Sequence, residues 1–291
     1  MRIPEALRHL IGPLELIHDQ AGPRLLRWAR CGIFGLWIFK LLVDPLWRLA
    51  EVPREFFAPV GVIALFPPTM LHALLTPHGL LTFWAVTLLA LLLTLDDNHF
   101  AYRATFAALL LTIYSSLNRS FGPAVHTDIA LLLATYALAG FAWADVTVPE
   151  EKRRASYPLV TIAAVLCLTY TLVGLNRAVA GGISVFTSNT METWAIDASL
   201  RGYYFNTNVG WHLPQWPFAV FMLRSGLPAI TLFEITAPLC LAWPRYRLLF
   251  IPVMLSFHFL SLVFMNIFFF DDMLMYLLLI DWSRRFPSMR A

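Results

Sequence analysis

Along most of this chain the apolar residues run on for about twenty positions at a time, and short clusters of charges, prolines or glycines then break the run. The runs predict helices at residues 31–49, 79–95, 100–117, 124–143, 157–180, 218–243 and 248–270, with a shorter one at 273–282. A β-barrel shows strands of about ten residues with strict alternation, so the pattern predicts an all-α, polytopic helical bundle with about eight transmembrane helices. Three stretches read differently. Leu7, Leu10, Ile11, Leu14 and Ile17 recur at helical spacing among polar residues, which predicts an amphipathic helix lying on the membrane surface. Residues 50–77 are broken at Pro53, Pro59 and Pro67-Pro68 and read as a loop with an interfacial turn of helix. Residues 181–215 turn polar and aromatic, and loops of that length are usually functional.

Composition supports a membrane class. The chain is 59% hydrophobic and 13% charged, with mean hydropathy +0.67, which does not suit a soluble domain. One integral membrane domain over residues 1–291 is expected, surrounded by membrane lipids. The net charge of +3 comes from basic residues at helix ends, so no nucleic-acid partner is implied. With the N-terminus inside, two-thirds of the 21 Lys and Arg residues fall on that side. Both termini are then cytoplasmic, residues 1–30 are a cytoplasmic amphipathic segment, and residues 50–77 and 181–215 share the outer face. Arg8, His9, Pro13 and Glu15 interrupt any signal-peptide core, so the first span reads as an uncleaved anchor. Cys31, Cys167 and Cys240 lie in apolar segments without C-x-x-C, so no disulfide framework or thiol-redox motif is read.

Ionisable groups at membrane depth are the candidates for chemistry. His258 and Glu234 each sit inside an apolar run. His258 either transfers a proton near neutral pH, holds a polar head group, or bonds to another helix. Glu234 at that depth is protonated or salt-bridged, and the two are expected to approach each other or share a ligand. His126 opens a further helix, and Asp128 two residues on reads as a charge favoured by the helix dipole. No pattern of metal-ligand spacing is present, so no metal is expected. Asn176 and Arg177 lie before Gly181-Gly182, where the guanidinium either binds an anionic group or snorkels to the interface. Asp271-Asp272 and Asp96-Asp97 read as solvated turns. Trp194, Tyr203, Tyr204, Trp211 and Trp216 in the outer loop read either as interfacial anchors or as a cover over a lipid-like ligand.

Three places resemble the vitamin K-dependent gamma-carboxylase-like family, whose bacterial members are called HTTM (horizontally transferred transmembrane) domains. The first is the run from His258 through Phe270 to Asp271-Asp272-Met273-Leu274, preceded by Glu234 and the basic turn at residues 244–247. The second is the helix that opens near His126. The third is Tyr170-Thr171-Leu172-Val173-Gly174-Leu175-Asn176-Arg177. The resemblance implies a helical bundle with an outward-facing pocket lined by His126, Arg177, Glu234 and His258. It also implies a quinone-like or lipid ligand, an exported peptide or lipid as substrate, and a bacterial inner membrane. Catalysis is expected from His258, Glu234 and His126, and ligand binding from Arg177, Asn176 and Trp211. Asn176 and Arg177 stand in the region where the carboxylases carry a base lysine. An arginine stays protonated and makes a poor base, which counts against vitamin K-dependent carboxylation itself. A weaker similarity, to DoxX/MauE-like membrane proteins around Glu234, implies the alternative of a non-enzymatic lipid- or partner-binding module.

Overall fold

The computed structural model describes residues 15–121, 128–144, 151–187, 189–201, 209–265 and 269–290, and among them every regular element is helical. In chain order the first α-helices among the described residues are α1 (Pro23–Val43), α2 (Pro68–Leu74), α3 (Pro77–Leu93), α4 (Phe100–Ser120), α5 (Ile129–Ala144) and α6 (Glu151–Gly181). They are followed by α7 (Ser184–Thr187), α8 (Thr190–Arg201), α9 (Pro217–Ile235), α10 (Leu239–Ala242), α11 (Pro244–Met265), α12 (Phe270–Met275) and α13 (Trp282–Arg285). Among the described residues four helices are long and apolar enough to cross a membrane: α4, α6 from Ala155, α9 and α11. A fifth candidate is α2 with α3, bent by 81° at their break. The chain is thus an integral membrane protein of all-α class. The other expected spans are more charged, shorter or broken. Helix α1 carries Arg24, Arg27, Arg30 and Lys40, α5 has 16 residues, and the last run divides into α12 and a 3-10 turn at Tyr276–Leu279. The expected loop at residues 181–215 holds α7, α8 and a 3-10 turn at Gly210–Gln215, so much of it is helical.

The chain divides into two compact units, Gln20–Ile162 with Trp282–Ala291, and Met1–Asp19 with Ala163–Asp281. In the first, α4 packs against α5, and Ala104, Ala107 and Ala108 of α4 and Ala130 and Ala134 of α5 are all buried. Small residues let helix backbones approach where lipid offers no hydrophobic drive to pack. Buried polar groups find partners inside the unit: Trp37 Nε1 donates to Thr135 Oγ1 at 3.0 Å, and Trp84 Nε1 to the Leu41 carbonyl at 2.9 Å. Helix α3 starts at Pro77 behind an N-cap, Thr76, whose hydroxyl oxygen accepts from the Gly79 N–H at 3.0 Å. The Asp96-Asp97 turn is clamped by arginines. Asp97 meets Arg27 at 2.8 Å and Arg30 at 3.7 Å, and Asp96 meets Arg103 at 2.8 Å.

In the second unit residues 15–19 form an arm outside any helix. Glu15 N–H donates to the Ala242 carbonyl and Ile17 N–H to that of Leu241, each at 2.8 Å. Leu7, Leu10, Ile11 and Leu14 lie outside the described residues. Ile17, the last of that series, is fully buried in the arm and does not lie on a helical face at the membrane surface. His18 turns the chain with φ 61°, in the left-handed region, and its buried ring contacts the Leu278 carbonyl through Nε2 at 2.7 Å. A carbonyl only accepts, so Nε2 carries the proton, and Nδ1 is buried with no partner among the described residues. Burial pushes the imidazole pKa below 6.5, and the nearby Arg247 guanidinium acts in the same direction, against Asp281 and Asp19.

The sign of the resulting pH dependence follows from linkage. A histidine with a lowered folded pKa binds more protons when unfolded, so its contribution to stability is complete above about pH 6.5 and is lost as pH falls below that value. The thermal midpoint of detergent-solubilised wild type is expected to fall between pH 7 and pH 5 relative to His18→Gln, which keeps an N–H donor without titrating. Parallel curves for the two proteins count against a neutral, buried His18.

Candidate functional site

One face of α6 in the second unit carries Cys167, Tyr170, Gly174 and Arg177, at helical spacing. Apolar residues dominate the rest of this half of the helix, so these four mark the side turned toward the protein. Gly174 is where α6 and α9 come closest. A Cβ there would lie 2.8 Å from Glu234 Cβ and 3.0 Å from both Cγ1 and N of Ile235. Only a residue without a side chain fits that crossing.

The close approach brings Arg177 to Glu234. The guanidinium is forked over the carboxylate, with Nη1 on Oε2 and Nη2 on Oε1 at 3.2 Å, while Nη1 also reaches Thr231 Oγ1 at 3.3 Å. Thr231 lies one turn before Glu234 and donates its own proton to the Leu227 carbonyl at 2.8 Å, which leaves its oxygen free to accept from Arg177. The Glu234 side chain is only 3% exposed. A carboxylate so far out of water needs a counter-charge, and the planar fork of arginine supplies it. Arg177 therefore faces inward to a partner; neither snorkelling nor an open anion site describes it.

His258 has a different environment. It stands on the inner stripe of α11 with Phe250, Met254 and Ser261, and is 3% exposed. Its Nε2 lies 2.8 Å from Tyr276 Oη and 3.3 Å from Tyr170 Oη, and the two hydroxyls are 2.5 Å apart. The rings of Tyr170 and Tyr276 stack with centroids 5.6 Å apart, Phe250 stands edge-on to both, and Phe269 lies 4.9 Å from the imidazole. Glu234 and His258 thus have separate partners. Tyr170 relates the two groups, since it bonds to His258 and lies within electrostatic reach of Glu234.

The protons of this triangle do not balance. With the imidazole proton on Nδ1, Nε2 accepts from a tyrosine and the second tyrosine completes the chain, but Nδ1 is buried with no partner among the described residues. With the proton on Nε2, the imidazole donates to Tyr276 and Tyr276 to Tyr170, and the Tyr170 proton has no acceptor in the triangle. Either tautomer leaves one donor without an acceptor inside the triangle. An unpaired buried donor costs about 1–3 kcal/mol, so an acceptor oxygen beside the cluster would stabilise it.

The remaining candidates fall elsewhere. Asn176 and Trp211 are exposed. His126 lies outside the described residues. Its neighbour Asp128 belongs to the first unit, where it precedes α5 and binds Arg119 Nη2 at 2.5 Å. Asp271 corrects the reading of a solvated turn: it is 2% exposed, in the first turn of α12, where the unsatisfied N–H groups of a helix favour an acidic residue. Asp272, beside it, acts electrostatically on both Tyr170 and Tyr276. Sequence reasoning missed those two tyrosines. A signal existed for Tyr170, seven residues before Arg177 and hence on its face. None existed for Tyr276, one more aromatic in an apolar run.

Removing one member of a buried ion pair leaves the other charge stranded, at a cost of about 3–5 kcal/mol. Arg177→Met is therefore expected to melt far below wild type or fail to accumulate, and Arg177→Met/Glu234→Leu to recover most of the loss. A double variant as unstable as the sum of the two singles, measured by thermal unfolding in detergent, argues that the pair is not a unit.

Comparison with protein-family models, with curated proteins and with solved structures finds no match to this chain.

Proposed function

We propose that this chain is a carboxylase-like (HTTM-type) integral membrane protein that holds a quinone-like or lipid ligand by an acceptor oxygen at the His258–Tyr170–Tyr276 cluster. The observation that carries this reading is the donor left without an acceptor inside the triangle, set among Tyr170, Tyr276, Phe250 and Phe269. A carbonyl-bearing ring matches both needs, an acceptor for the donor and a flat apolar body for the aromatics. In this role His258 and the tyrosines orient the ligand head and exchange a proton with it. Arg177 and Glu234 fix the spacing of α6 and α9 beside it. The substrate is an exported peptide or a lipid. Vitamin K-dependent carboxylation as such is not part of the proposal, because Arg177 is committed to Glu234 and makes a poor base.

In the topology that accompanies this reading, about eight apolar segments cross a bacterial inner membrane, the termini are cytoplasmic and the site opens outward. Contacts within each unit support the sidedness. Arg27 and Arg30 meet the Asp97 turn, and the N-terminal arm meets the turn at Leu241 and Ala242, as expected for segments on one side.

A second reading is a non-enzymatic lipid- or partner-binding module of DoxX/MauE-like type. It draws support from the Arg177–Glu234 pair, whose members neutralise each other and leave neither as a ready acid or base.

Native mass spectrometry with solvent extraction separates the outcomes. Wild type in mild detergent is expected to carry a stoichiometric isoprenoid quinone or other carbonyl lipid. Tyr170→Phe/Tyr276→Phe, which removes only the hydroxyls, is expected to lose it while remaining folded. A ligand chemically altered on incubation with a membrane fraction supports the enzyme, and an unaltered one the binding module. Ordinary phospholipid alone in both proteins sinks the ligand proposal.

A further inference from the structure

Helix α8 and the turn at Gly210–Gln215 lie in the sequence between two membrane-length helices, α6 and α9. Their inner side is accounted for. Met191 and Ala195 of α8 and Leu213 of the turn join Val185, Leu223, Leu227 and Met265 in one buried apolar cluster. Glu192 on the same side accepts from Arg224 Nε of α9 at 2.5 Å. Gly210 is pressed against this layer: a Cβ on it would stand 2.2 Å from the Ala195 carbonyl and 2.5 Å from that of Phe264. Val185 follows the end of α6, Leu223 lies in the second turn of α9, and Met265 closes α11. The cluster therefore marks the level at which three membrane-length helices end or begin.

The outer side of the same segment is unusual in what it exposes. Trp194 is 54% and Trp211 53% exposed, as is Leu200 at 67%, and Thr193 and Asp197 are exposed beside them. Indoles mixed with polar groups suit neither bulk water nor the hydrocarbon core. The headgroup boundary accommodates both, the ring among upper acyl carbons and the polar groups among headgroups. Exposed apolar residues continue on either side, with Val179 and Ile183 at the end of α6 and Phe218 at the start of α9. Exposed apolar residues that adjoin membrane-length helices along the chain suit the lipid that covers those helices.

We propose that α8 and the Gly210–Gln215 turn lie in the headgroup–acyl boundary of the bilayer, with the Trp194 and Trp211 indoles inserted. The segment between α6 and α9 is then held from both sides, by the apolar cluster beneath and by lipid at its outer face. This inference depends on the membrane reading and is independent of any ligand at His258.

The test uses the full chain in phosphatidylcholine nanodiscs whose lipids carry bromine near the carbonyl or near the chain end. Trp194→Phe and Trp211→Phe are made separately, and each is compared with wild type for size-exclusion profile and thermal midpoint. Subtracting each variant's fluorescence from that of wild type isolates one indole. The component lost in each variant is expected to be quenched by the shallow bromines, much less by the deep ones, and not by aqueous iodide. Quenching by iodide alone places the indoles in water and overturns the proposal. Quenching mainly by the deep bromines places them in the core, and protection from every quencher places them against a second copy; either result overturns it too.

Discussion

A carboxylate taken out of water must be met by an opposite charge, and in the second unit that requirement falls on Glu234 and Arg177. The pair is costly to bury and more costly to break. Its geometry therefore constrains everything around it. Gly174 must lack a side chain so that α6 and α9 can approach, Thr231 must turn its oxygen toward the guanidinium, and Tyr170, on the same face of α6, is set at the height of α11. The His258 cluster shares no hydrogen bond with the pair, and Tyr170 is its member on that face of α6. Few other interactions in an apolar bundle are directional enough to fix one helix crossing over its alternatives, since contacts among leucines are nearly interchangeable with contacts to lipid.

How much of this was readable in the sequence depends on the kind of signal. Helical class and membrane character were plain from the length of the apolar runs, and the turn clamped at Asp96-Asp97 fell in a predicted break. Glu234 and His258 stood out because polar groups at depth are expensive, and both are buried in named interactions. Their partners were hidden. Which groups pair is decided by helix crossings, and nothing local to Glu234 points to a residue 57 positions earlier. Asp271 looked solvated because two adjacent carboxylates after a phenylalanine run resemble a surface turn. A short helix begins there, and one of the two carboxylates in its first turn is buried. Residues 181–215 looked like loop because their composition is polar. The periodicity of Met191, Ala195 and Ser199, spaced by four, was present but diluted by the aromatics around it.

The two polar clusters of the second unit differ in how complete they are. Arg177 and Glu234 satisfy each other, as a structural joint should, and Trp37 and Thr135 of the first unit do the same. The imidazole and two hydroxyls around His258 leave one donor without an acceptor among themselves. An acceptor oxygen beside the His258 cluster would complete it in the same way.

Gly174 has an implication for how such a protein can vary. A position that admits only a hydrogen ties its own identity to those of residues 234 and 235, because the space a methyl group needs is already filled by Glu234 and Ile235. Drift at this crossing must then be concerted. A chain descended from the same ancestor that bears alanine there should have trimmed a side chain opposite or let the helices part, and if they part, the arginine one turn further on no longer reaches its glutamate. The three sites form one heritable character, and a comparison of relatives would find them changing together or not at all.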